Sequence, residues 1–371
     1  PSTSVAEGFE KYASKYRVDP QTGKNNYISV QAEDELAAVG MAIGANWNGA
    51  RGFTATSGPG ISLMSEFLGL AYFAEVPLVI FNIQRGGPST GMPTRTQQSD
   101  ILSCAYASHG DTKHVLLFPE DPQECFEFSA EAFNLAERLQ TPVFVISDLD
   151  IGMNDWVTDK FEWDDEQKYD RGKVLKAEDL DKMDNFGRYL DVDDDGICYR
   201  TYPGTHPEKG AFFTRGTSHD EYARYTENGD INEQTLTRLV KKFRTASELV
   251  PDPIINLSEK QGSSGVIFYG STSAAMYEAK DILNENNIEV DLMRIRSFPF
   301  NLDVWEFIEN HDLIYVIEQN RDSQMRTLIM AEGGISAEKL RSLVWFNGDP
   351  IQAKFIAKKI YERESQQALI T

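Results

Sequence analysis

Over the first 150 positions, apolar runs alternate with helical or small-residue stretches. Residues 27–30 read as a short β-rich run, and a small-residue helix follows over 34–47. Residues 52–56 read as a strand that breaks at Ser57-Gly58-Pro59-Gly60, before another helix and the apolar strand 77–83. The alternation continues with a helix near 98–108, strand 114–118, helix 123–138 and strand 142–147. Strands separated by helical crossovers specify a parallel sheet covered on both faces, so the expected fold class is α/β, with residues 1–150 as one domain. From about 154 to 253 the periodicity weakens and Asp, Glu, Lys, Tyr and Gly accumulate, so 151–260 reads as an irregular linking region, with helix over 232–248. A second α/β unit, 261–371, begins with the strand at Gly265 and continues through helix 274–286 and strands 289–295 and 313–318. There is no internal repeat.

Charge and cysteine content narrow the function. A net charge of −22 disfavours nucleic acid as a partner, because phosphate neutralisation requires cations. No apolar run approaches the roughly 18 residues of a membrane span, and no signal-peptide pattern is present. Cys104, Cys125 and Cys198 are widely spaced. An iron–sulfur cluster normally needs four thiolates, so none is expected on this chain, and a reducing cytoplasm fits.

The candidate chemistry begins at Glu33-Asp34-Glu35. Acids at a helix start gain about 0.3–1 kcal/mol each from the helix dipole, and Asp34 suits an N-cap. That accounts for Glu33 and Asp34. Glu35 is followed at once by Leu36-Ala37-Ala38, with Gly44-Ala45 beyond, so another surface can approach it closely and desolvate its carboxylate for proton work. Thr56, Ser57, Gly58, Pro59 and Gly60 join a strand to a helix and offer backbone N–H groups to an anion, although a tight turn explains them as well. Residues 84–100 (Q-R-G-G-P-S-T-G-M-P-T-R-T-Q-Q-S-D) follow the carboxyl end of a buried strand, where open α/β sheets place ligands. Arg85 and Arg95 there suit carboxylate binding, with a solvated loop as the alternative. His109 lies in a connection, where a lone histidine is more often structural or solvated than catalytic. Asp191-Val-Asp-Asp-Asp-Gly196 starts like a calcium loop but has Tyr202 at the twelfth place, so an acidic turn is expected. His206, His219 and Asp220 show no metal spacing. No G-x-S-x-G elbow supports serine hydrolysis.

Taken together, these stretches resemble the α subunit of 2-oxoacid:ferredoxin oxidoreductases, most closely the 2-oxoglutarate type. The resemblance rests on Q-A-E-D-E-L-A-A-V-G-M-A-I-G-A, F-T-A-T-S-G-P-G-I-S-L-M-S-E, residues 84–100, Y-L-D-V-D-D-D-G-I-C-Y-R-T-Y-P-G-T-H-P and R-G-T-S-H-D-E-Y, in family order. It implies that 1–150 is the pyrimidine-binding domain of a thiamin diphosphate fold. The unit at 261–371 would be a transketolase C-terminal-like domain. A β subunit would carry the Gly-Asp-Gly motif that holds Mg2+ and the diphosphate, together with [4Fe–4S] clusters. This chain contains no Gly-Asp-Gly.

The resemblance also implies roles. Glu35 would hydrogen-bond the cofactor's pyrimidine nitrogen across the subunit interface. Thr56 to Gly60 would border the cofactor, Arg85 would bind the 1-carboxylate of a 2-oxoacid, and Arg95 and His109 would reach the distal carboxylate or the pocket wall. Electrons would pass to ferredoxin and the acyl group to coenzyme A, in a cytoplasmic dimer of αβ heterodimers serving the tricarboxylic acid cycle. The family motif Tyr-Pro-Ile-Thr-Pro is represented only from its last proline, Pro1, so its threonine and an upstream γ-type domain are expected outside this sequence. Pyruvate or branched-chain oxoacids, a lipoamide-linked β-type decarboxylase chain and a non-catalytic scaffold remain as alternatives.

Overall fold

The computed structural model describes residues 2–164, 166–213, 216–258 and 264–368. Pro1, Arg215 at the head of the R-G-T-S-H-D-E-Y stretch, and the expected boundary at 261 lie outside them. The strands are β1 (Phe53–Thr56), β2 (Leu78–Gln84), β3 (Val115–Leu117), β4 (Pro142–Asp148), β5 (Ile254–Asn256), β6 (Ser264–Tyr269), β7 (Val290–Ile295), β8 (Ser297–Phe298), β9 (Ile314–Glu318) and β10 (Leu340–Val344). They form two five-stranded sheets, in the orders β1-β2-β4-β3-β8 and β10-β9-β6-β7-β5. Only the β3–β8 and β5–β7 pairs are antiparallel.

The apolar runs become strands because both faces of the sheets are covered. Every residue of β4 is buried, as is every residue of β2 but one. Helix Gly58–Phe73 crosses from β1 to β2. Helix Pro122–Leu139 crosses from β3 to β4, with Asp121 accepting from Glu124 N as its N-cap and a left-handed Gln140 at its end. One apolar cluster runs from Met64 and Ile80 through Phe298 to Ile267 and Val316, so the two sheets share a core. Arg294 adds a paired hydrogen bond to Glu124, at 2.6 and 2.8 Å.

Three local expectations change. Residues 27–30 form no strand: no neighbour pairs with them, and Ile28 and Val30 are 82% and 61% exposed. The helix expected near 98–108 contracts to Ile101–Ala105, because Gln98 N donates instead to Gln319 O at 2.8 Å. The helix expected over 232–248 starts earlier, at Gly229, where the Asn228 side chain accepts from Asp230 N and Ile231 N. Helix Thr3–Tyr16 was not foreseen.

Candidate active site

The carboxyl ends of β1, β2 and β4 lie side by side. In the parallel register Thr56 faces Asn82, and Gln84 faces Asp148. Thr56, Asn82, Gln84 and Asp148 are all buried, which is unusual for polar side chains and marks this edge as chemically distinct from the strands beneath it.

Helix Glu35–Trp47 brings the first acid to the edge. Asp34 is its N-cap, accepting from Ala37 N at 2.7 Å, so the capping role falls to Asp34 and leaves the Glu35 carboxylate unused. Glu35 is exposed on the isolated chain. Its stem nonetheless meets the Thr56–Gly60 turn. A Cβ placed on Gly60 would stand 2.9 Å from Glu35 Cγ and would collide with the Thr56 hydroxyl. Only glycine fits there, so Glu35, Thr56 and Gly60 are packed together. Ser57 is the N-cap residue of helix Gly58–Phe73, and its carbonyl accepts from Gly60 N at 2.9 Å. Pro59 is exposed.

Arg85 follows β2 directly. Its Nε is enclosed and has no hydrogen-bond partner among the described residues. An unmatched buried donor costs about 1–3 kcal/mol. Asp100 closes the other end of the loop. Its backbone N–H donates to Gln84 Oε1 at 2.9 Å, and its carboxylate accepts from Asn82 Nδ2 at 3.1 Å. A Cβ on Gly58 would stand 2.7 Å from Asp100 Oδ1, so the carboxylate sits against the start of the helix. Burial pushes the Asp100 pKa up, opposed by the Asn82 hydrogen bond and the Arg85 charge. Asn82 and Asp100 were not singled out from the sequence. The available signal was polar Asn82 and Gln84 inside an otherwise apolar strand.

Other candidates sit elsewhere. Arg95 is held by Asp349 at 2.9 Å. His109 is exposed, and its neighbour Ser108 donates its N–H to Ser65 and packs at Gly69. These contacts lie seven to eleven residues along the helix from Gly58, ~10–17 Å down its axis, so His109 is not brought to Glu35 within this chain. Asp191 accepts from the backbone of Asp195 and Gly196, and Lys241 and Lys173 neutralise the surrounding acids. His206 pairs with Asp181, and His219 stacks on Tyr189 at 3.8 Å. Among the described residues no group of three His, Cys, Asp or Glu side chains is placed to hold a metal ion. The three cysteines are free, and burial pushes their thiols up, Cys125 and Cys198 to about 12. No described helix is long and apolar enough to cross a membrane. A cleft of about 470 Å³ is lined by Asp150, Trp156, Ser271, Glu278 and Lys354, and Ser271 donates to Asp148 at 2.6 Å.

The family model "Pyruvate flavodoxin/ferredoxin oxidoreductase, thiamine diP-bdg" matches residues 1–245. The chain belongs to this family. The α/β thiamin diphosphate-binding fold expected from the sequence, and the resemblance to 2-oxoacid:ferredoxin oxidoreductase α subunits, are thereby borne out. The α subunit of 2-oxoacid:ferredoxin oxidoreductase 1 from Sulfurisphaera tokodaii is 34% identical over 360 residues, covering 94% of this chain and 55% of its own. The 2-oxoglutarate synthase subunit KorA of Methanothermobacter thermautotrophicus is 34% identical over 331 residues, covering 86% and 80%. A solved 2-oxoglutarate:ferredoxin oxidoreductase from Magnetococcus marinus, with 2-oxoglutarate, coenzyme A and succinyl-CoA bound, superposes with a TM-score of 0.80 at 27% identity, covering 98% of this chain and 60% of that one. The chain thus spans little more than half the length of several relatives in this oxidoreductase family.

Proposed function

We propose that this chain is the α subunit of a thiamin diphosphate-dependent 2-oxoacid:ferredoxin oxidoreductase acting on 2-oxoglutarate. The reaction takes 2-oxoglutarate, coenzyme A and oxidised ferredoxin to succinyl-CoA, CO2 and reduced ferredoxin, or runs in the carboxylating direction. The observation that carries the reading is the convergence of an uncommitted Glu35 with Thr56 and Gly60, with Arg85 and its unmatched Nε following the adjacent strand.

These residues suit the cofactor: with no side chain at Gly60 the Glu35 stem packs directly on the Thr56–Gly60 turn, and the Glu35 carboxylate is free of capping duty. Thiamin diphosphate, when bound, supplies the carbanion chemistry by which a 2-oxoacid loses CO2. Glu35 holds a proton at the pyrimidine nitrogen. Arg85 takes the 1-carboxylate through its guanidinium edge. Asp100 and Gln84 clamp the two ends of the Arg85 loop and keep it in place. The residues from Thr56 to Gly60 border the pyrimidine, and Arg95 and His109 are proposed for the substrate's distal carboxylate or the pocket wall.

The proposal includes a β subunit holding Mg2+, the diphosphate and [4Fe–4S] clusters, in a cytoplasmic dimer of αβ heterodimers serving the tricarboxylic acid cycle. Free, separated cysteines support a reducing compartment. It also includes the three-part division at 150 and 260, with a transketolase C-terminal-like unit last. The test is a panel of 2-oxoacids with coenzyme A and viologen on the reconstituted complex. The highest kcat/KM is expected for 2-oxoglutarate. A preference for pyruvate or branched-chain oxoacids overturns the substrate, and co-purification with a lipoyl protein instead of an iron–sulfur partner overturns the reaction.

A further inference from the structure

Where the linking region packs against the approach to β2, the chain encloses more positive than negative charge. Glu75 is fully buried and paired with Arg238 and, at 2.8 Å, with Lys242. Arg188 Nη2 donates to the Glu75 carbonyl at 2.8 Å, but among the described residues Arg188 has no carboxylate of its own. Beside this network, Glu137 meets Arg51 at 3.2 Å, Arg171 at 3.0 Å and Arg200 at 3.9 Å. Six cations therefore share two carboxylates, a local surplus of positive charge inside a chain whose net charge is −22. An uncompensated buried charge costs several kcal/mol, so an arrangement of this kind calls for a counter-ion.

The two networks meet at a small pocket lined by Trp47, Glu75, Arg188, Arg200, Tyr202 and Phe212. The space open to the centre of a water-sized sphere is about 10 Å³, room for one water-sized or halide-sized occupant. Arg188 and Arg200 are 2% and 4% exposed. Trp47 Nε1, Arg188 Nε and Nη1, and Arg200 Nε are enclosed and without hydrogen-bond partners among the described residues. The rings of Tyr189 and Phe212 flank the Arg188 guanidinium but provide no lone pair. Glu75 is neutralised by Arg238 and Lys242, so it does not repel an anion from the pocket. Nε and Nη1 of Arg188 point away from one another, so one occupant can meet at most three of these four donors; a water molecule has lone pairs for two and carries no charge, whereas a halide accepts from every direction.

We propose that this pocket binds a halide-sized monovalent anion, chloride under ordinary conditions. The anion fastens the linking region, through Arg188 and Arg200, to the Trp47 end of helix Glu35–Trp47 and to the turn before β2. Burial weakens the hold of Arg200 on its proton, opposed by Tyr202 and Glu137 and reinforced by the Arg188 and Arg171 charges. The site is independent of the activity proposed above.

Bromide substitution tests it directly. Crystals of the full chain grown with bromide should show an anomalous peak within hydrogen-bond reach of Arg188 Nε and Arg200 Nε. Density of a water there without anomalous signal overturns the proposal, and so do bromide peaks confined to the surface. In solution, replacing gluconate with chloride at fixed ionic strength should raise Tm by about 2–4 °C. Arg188→Met should abolish that response and Arg321→Met, on the exposed surface, should keep it. An equal chloride response in Arg188→Met and the unaltered chain overturns the proposal. If Arg188→Met does not fold, the bromide map decides alone.

Discussion

Two carboxylates stand near the first turns of helices, one on the helix before β1 and one at the end of β9, and they have opposite fates. Glu318, at the carboxyl end of β9, is fully buried and accepts from Met325 N at 2.9 Å, Arg326 N at 3.2 Å and Asn320 Nδ2 at 2.6 Å. It caps helix Gln324–Gly333 and its acceptor capacity is spent. Glu35 opens helix Glu35–Trp47, but its neighbour Asp34 does the capping. The same residue type in a similar local setting is structural in one sheet and uncommitted in the other. The second edge is closed further by Gln319 Nε2 donating to Ser271 at 2.9 Å and by Asn320 Nδ2 donating to Gln98 O at 3.0 Å. At the first edge, Arg85 keeps an unmatched donor. The second edge has its own unmatched atom, Gln319 Oε1, so what separates the two edges is an uncommitted carboxylate and an unmatched cation on the first.

Substitutions can separate the two edges. The largest effect is expected from Glu35→Gln in the αβ complex, a loss of about 10²–10⁴-fold in 2-oxoacid-dependent viologen reduction with an unchanged melting temperature. Near-normal turnover would return Glu35 to a purely structural role. Glu318→Ala should do the converse: it strands two backbone N–H groups and should cost about 2–4 kcal/mol in denaturant unfolding. The folded fraction should keep its turnover. Arg85→Met should raise KM for the 2-oxoacid about 10–100-fold, with a smaller change in kcat and no loss of stability. An unaltered KM would detach Arg85 from the substrate.

The smallest effect concerns Asp150, beyond the end of β4, whose pKa burial and then Asp148 push up to about 6. A carboxyl raised from its ordinary 3.8 binds more protons folded than unfolded between those values, so it costs stability as pH rises through that window. Because Asp150 is partly solvated, screening reduces the cost to about 1 kcal/mol. Asp150→Asn should therefore be the more stable form above pH 6 and gain nothing near pH 4, as thermal melts across that range would show.

The sheets were legible because their strands are apolar on both faces and the crossovers carry helical periodicity. Helix 35–47 was legible from its cap: Asp34 precedes a small-residue run, and the structure has Asp34 accepting from Ala37 N. Residues 27–30 misled because Tyr, Ile and Val favour strands only where a neighbour exists to pair with, and none does. The convergence of Glu35 with Gly60 could be expected from the family pattern but not from spacing, since the two are 25 positions apart on different helices. Asp100 was read only as the end of a loop, because its role depends on Asn82 and Gly58, which the chain brings to it from 18 and 42 residues away. The Arg188–Arg200 pocket left no trace in the sequence. Its cations come from several segments, and their surplus shows only once Glu75 and Glu137 have been assigned their partners.

The two residues of β8 belong by chain position to the second unit and by hydrogen bonding to the first sheet. That small exchange makes the molecule mechanically indivisible. Lifting the second unit away would break the β3–β8 pairing and open the apolar core the two sheets share, so a protease nick in the connection between them should yield two fragments that stay together as one particle.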